Sequence, residues 1–157
     1  MALPPSLAST AFSRRALLGA SAVGLGVLLV GCTSEDDKPP VTAQQADELA
    51  AQVADQRSLV AAFAAATAAD AALGAGLGDL STQVQQQLDR LEAASPGTTP
   101  GSSAPPAPTG DPRAWLRTRV TATADSHAVA CLGQTGPRAA LLGSIAAGLR
   151  GMDGRLA

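Results

Sequence analysis

The chain has 157 residues, a formal charge of −2 and 46% apolar residues, of which only a small share, 2% of the chain, is aromatic. That length suits one small domain with a tether, the acidic balance gives no footprint for nucleic acid, and a single histidine beside two cysteines offers no zinc-ligand spacing. Phe63 and Trp115 are the only aromatics beyond residue 12, so any core must be built from Leu, Val and Ala.

The first segment carries a positive start at Arg14 and Arg15 and an apolar run from Ala16 to Val30, and it closes on Leu29-Val30-Gly31-Cys32. The run is shorter than the roughly 20 residues a helix needs to cross a bilayer, which disfavours an uncleaved span. This is the pattern of a secretion signal, removed before the mature fold matters. Ser13-Arg14-Arg15-Ala16-Leu17-Leu18 is similar to the twin-arginine export motif, which implies passage across the membrane already folded; an ordinary Sec signal also carries positive charge here, and both routes stay open. Leu29, Val30, Gly31 and Cys32 resemble the lipobox of bacterial lipoproteins. The resemblance implies acylation of the Cys32 thiol with chains such as palmitate, cleavage before it, and a protein held by membrane lipid on the extracytoplasmic face. Residues 1–31 are then the signal peptide and 32–41 a lipidated tether, polar, acidic and closed by Pro39-Pro40.

Thr42 and Gln45 form a capping-box pattern, which predicts a helix from Ala43 to about Leu73 with Leu49, Val53, Val60, Phe63 and Leu73 along one side. Gly74, Gly76 and Gly78 are expected to end it. Asp79 or Ser81 is expected to cap a second helix carrying Leu80, Val84, Leu88 and Leu91, so that residues 42–94 make a first helical hairpin. Residues 95–110, with Pro96, Pro100, Pro105, Pro106 and Pro108, read as a semi-extended linker. Closure entropy grows only logarithmically with loop length, so the length of this linker is expected to matter little for stability.

Asp111-Pro112 is a strong helix start. Leu116, Val120, Thr123, His127 and Cys131 mark one face of the helix that follows, and Val129, Ala130 and Leu132 suggest that Cys131 is buried. Arg113, Arg117 and Arg119 fall mainly off that face, as a solvated surface would. Gly133 and Gly136 interrupt the chain and Pro137 restarts it. Leu141, Leu142, Ile145, Leu149 and Met152 complete a second hairpin over 111–157.

Two helical hairpins joined by a Pro-rich crossover predict an all-α four-helix bundle. The helix order and the long crossover resemble the ferritin-like fold, including small ferritin-like domains of actinobacterial envelope proteins. Members with a di-metal site use Glu-x-x-His pairs, and this chain departs from that: Glu48 and Glu92 are the only glutamates after the tether, and Ala124 stands three residues before His127. Asp125-Ser126-His127 holds three catalytic residue types, but helical neighbours one or two apart do not face one another. Neither a catalytic set, nor a metal site, nor a cofactor is therefore expected. The sequence supports a non-catalytic module with an envelope protein as partner; the alternative is a degenerate ferritin-like metal-binding or oxidoreductase domain. One polar pair is expected inside. Asp70 follows Phe63 by seven residues and so points the same way on a continuous helix, and His127 shares the stripe of Val120 and Cys131. The two either pair across the bundle, which would raise the pKa of His127, or are satisfied separately by backbone, hydroxyls or water.

Overall fold

The computed structural model describes residues 40–97 and 107–157; Arg14, Arg15, Leu29, Val30, Gly31 and Cys32 lie outside them. Helix α1 spans Ala43–Ala69, α2 Ala71–Gly76, α3 Gly78–Ala94, α4 Pro112–Gly133 and α5 Gly136–Leu156, and among the described residues there is no strand. The protein is all-α.

Local chemistry explains most of the boundaries. Thr42 accepts from the Gln45 amide while Gln45 Oε1 accepts from the Thr42 amide, so the capping box is closed on both sides. Asp111 accepts from the amides of Arg113 and Ala114 with Pro112 at the first helical position. The α4–α5 turn passes through Gly136 at φ 54°, a left-handed conformation that a side chain would strain.

The long first helix expected up to Leu73 stops instead at Ala69. Asp70 takes an extended conformation (φ −143°, ψ 103°) and its Oδ1 accepts from the amides of Ala72 and Leu73. A short carboxylate competes with the helical ladder for backbone donors, and here it wins without any Pro or Gly. Gly74 then lets α2 fold back closely, since a Cβ there would stand 2.5 Å from Thr67 Cγ2. The turn between the two long helices is therefore built by Asp70 and Leu77, with Gly74 and Gly76 inside α2. Neither Asp79 nor Ser81 caps α3, which starts after Leu77 without a side-chain cap.

Helix directions follow from the side-chain contacts. Gln45 reaches Gly133 and Gln52 reaches Ser126, so α4 runs antiparallel to α1. Arg117 pairs with Asp153 and Cys131 meets Ala139, so α5 runs antiparallel to α4. Arg57 pairs with Glu92 near one end of the α1–α3 hairpin, while Thr67 and Ala68 line a groove with Ser81 and Thr82 near the other. Helices α3 and α4 thus point the same way.

Between the helices lies a continuous apolar cluster that includes Leu49, Phe63, Val84, Leu91, Leu116, Val120, Ile145, Leu149 and Met152. One expectation about α4 fails: Cys131 is only partly buried, its thiol donating to the Ala139 carbonyl at 3.2 Å, and the neighbours that suggested its burial, Val129 and Leu132, are 71% and 87% exposed.

Candidate functional site

Four polar side chains meet at one level of the apolar interior. Gln56 and His127 are fully buried, and Gln52 and Gln87 nearly so. A buried amide or imidazole without partners costs a few kcal/mol, so such groups arrive as a connected set or not at all.

The connections can be followed from the least ambiguous group. The Gln56 amino group donates to the Val84 carbonyl at 3.1 Å and to Gln87 Oε1 at 3.2 Å. The Val84 carbonyl can only accept, so the Gln56 amino group faces it, Gln56 Oε1 is the atom left to face His127 Nε2, 2.9 Å away, and the ring carries its proton on Nε2. On the other side Nδ1 lies 2.8 Å from the Gln52 side-chain oxygen, and Ser126 Oγ lies 3.2 Å from that oxygen and 2.7 Å from Asp55 Oδ2. The single Ser126 proton goes to the carboxylate, the shorter and charge-assisted acceptor.

Burial lowers the pKa of His127 from 6.5 to about 4, against a smaller raising effect of Asp55. At neutral pH the ring is therefore uncharged and Nδ1 holds a lone pair. Gln52 satisfies it by presenting its amino group, with Ser126 Oγ accepting the second amide proton; only the imidazolium would use the Gln52 oxygen. The amide can turn either way in the same space, and the charge of the ring decides which atom faces Nδ1.

Of the two readings of Asp70 and His127, separate satisfaction is the one the structure has, and no pair is formed. His127 is in the core, as its stripe predicts, but its partners are two glutamine side chains. Asp70 is spent capping α2, and the break it makes in the helix removes the angular relation to Phe63 on which its inward direction rested. The pKa of His127 is lowered rather than raised, because burial outweighs the attraction of Asp55. A double-mutant cycle of Asp70→Asn with His127→Gln should show coupling below about 0.5 kcal/mol, measured by urea unfolding. Coupling above that would restore the pair.

Beside the buried set a cleft of about 250 Å³ opens between α1 and α4, lined by Asp55, Ser58, Arg119, Thr123 and Ser126 among others. Arg119 there lies over the Trp115 ring at 5.3 Å. Nucleophilic chemistry needs a hydroxyl hydrogen-bonded to a base. Ser126 donates to Asp55, whereas both nitrogens of His127 are held by glutamines and the ring is closed to solvent. Asp125 points outward to Arg150 at 3.4 Å, so the sequential Asp-Ser-His run does not converge. Among the described residues no three His, Cys, Asp or Glu side chains group as metal ligands would. Nor is any helix among them long and apolar enough to cross a membrane.

The glutamines carried a signal that the apolar pattern hides. Leu49, Gln56 and Phe63 are spaced by seven, Gln52 sits beside Val53, and Gln87 falls between Val84 and Leu91 at offsets of three and four. These are core positions occupied by amides. No protein-family model, curated protein or solved structure matches the chain.

Proposed function

We propose that the chain is a bacterial envelope lipoprotein, exported by its twin-arginine-like signal and held by lipid on Cys32. Its residues 42–157 form a four-helix bundle, ferritin-like in outline, that serves as a non-catalytic binding or structural module. The observation that carries the non-catalytic part is the closure of His127: both ring nitrogens are engaged by Gln52 and Gln56 and no part of the residue is exposed. The bundle is supported by the directions of the four long helices, with α2 as the turn of the first hairpin and one crossover between two helices that point the same way. The anchor is supported by Leu29-Val30-Gly31-Cys32 and the acidic tether after it.

Two acyl chains give stable attachment where one gives only reversible binding, so the anchor has a clear readout. Cells fed a clickable palmitate analogue should label the wild-type protein, which sediments with membranes. The Cys32→Ala variant should take no label and persist as a precursor with its signal attached. Labelling of the variant at the wild-type level would rule out lipid on Cys32.

A further inference from the structure

Three large apolar side chains are exposed among the described residues: Val41 at 51%, Val129 at 71% and Leu132 at 87%. Their placement is not scattered. Gln45 Nε2 donates to the Gly133 carbonyl and Gln134 Nε2 to the Gln45 carbonyl, so the start of α1 and the end of α4 share one end of the unit. All three residues stand at or near that end. The segment from Ala128 to Pro137 there contains no Asp, Glu, Lys or Arg, and the carboxylate beside it, Glu48, accepts from the side chains of Gln44 and Gln134. The basic residues of α4 belong elsewhere: Arg117 pairs with Asp153 and Arg119 lies over Trp115, both toward the start of the helix.

We infer that the apolar edge of this end is a bilayer-docking surface, in which Leu132 and Val129 insert among the lipids to which Cys32 is attached. The inference rests on the lipid-anchored reading above. The occupant follows from the tether, because the chain enters the unit at Val41, nine residues after Cys32. Nine residues span at most about 30 Å, and about 17 Å as a flexible coil. The end bearing the apolar side chains is thus the one held nearest the membrane. Three side chains expose far less than the roughly 800 Å² per partner that a stable protein interface buries, which argues against a second copy as occupant. Shallow insertion needs much less. A few apolar groups reaching about 5–10 Å into the headgroup boundary suffice when a covalent anchor already supplies a high local concentration. The contact is apolar, so it should not weaken with salt.

The test uses the full-length lipidated protein in phosphatidylcholine vesicles, with acyl chains either brominated or not. In a Trp115→Phe background, Leu132→Trp supplies one reporter and Val129→Trp a second. Each introduced indole should lose at least about half its emission in brominated vesicles, as insertion to that depth requires. Native Trp115 in the otherwise unaltered protein should keep its emission, since seventeen residues of helix separate it from Leu132 by about 26 Å. If the protein floats with the vesicles and neither introduced indole is quenched, docking is overturned. An unquenched emission that shifts to the blue with rising protein density would overturn it in favour of contact between copies. Failure of the protein to float with Cys32 intact would instead bring down the anchored reading, and docking with it.

Discussion

Replacing His127 by Ala is expected to lower the unfolding free energy by about 4 kcal/mol, which two separate costs explain. Removing a fully buried ring leaves a cavity, and large-to-small changes at such sites cost about 2–5 kcal/mol. The change also strands the facing atoms of Gln52 and Gln56, each a polar group that then lacks a partner at about 1–3 kcal/mol. Partial collapse and water entry keep the total below the sum. For a domain whose whole stability is about 5–15 kcal/mol, this is a large fraction, and urea unfolding by circular dichroism reads it directly. The contrasting variant removes the network as a unit. With Gln52→Leu, Gln56→Met and His127→Leu together, no glutamine is left facing a missing ring, and stability should recover most of the loss. Recovery would mark the network as a device that fixes helix register rather than a source of net stability. Gln87 would then lack the Gln56 donor, which is why full recovery is not expected.

Acidification should produce an effect of similar size. The folded pKa of His127 is about 4, against 6.5 for the ordinary residue. A depressed pKa means that the folded state resists the proton which the unfolded state accepts. Stability from this group is therefore fully present above about 6.5 and is lost as pH falls from there toward about 4, where the folded ring also protonates. The window closes at both ends, and the loss across it is about 3 kcal/mol. The urea midpoint measured at intervals from pH 7.5 to 4 should fall along this curve, and in a His127→Gln variant the fall over the same range should be much shallower. A wild-type midpoint that stays level between pH 6.5 and 4.5 would show that burial does not hold the ring neutral.

Much of the fold was legible because it rests on short-range rules. Thr42 with Gln45 and Asp111 with Pro112 are local signals, and the stripe through Leu116, Val120 and His127 is a period that one helix imposes by itself. Asp70 was not legible in the same way. Whether a mid-helix carboxylate stays in solvent or takes two backbone amides depends on what the next segment gains by turning, and that gain is tertiary: Leu73 and Leu77 reach the core only after the break. The partners of His127 were hidden for a related reason. Counting Leu, Val and Phe identifies the apolar part of a buried face and passes over Gln52, Gln56 and Gln87 at equivalent positions. Val129 and Leu132 misled in the opposite direction, since apolar residues at the end of a helix are buried only if something beyond the helix covers them.

The central claim is that the single histidine is a closed, neutral structural group protonated at Nε2. Long-range proton–nitrogen correlation spectra of the ¹⁵N-labelled protein observe this ring directly. Between pH 7.5 and 5 the two ring nitrogens should keep the distinct shifts of a neutral Nε2–H tautomer, and titration should begin only as pH approaches about 4. A ring that titrates near 6.5, or whose two nitrogen shifts average as in free imidazole, would contradict the claim and reopen His127 as an accessible, chemically active side chain.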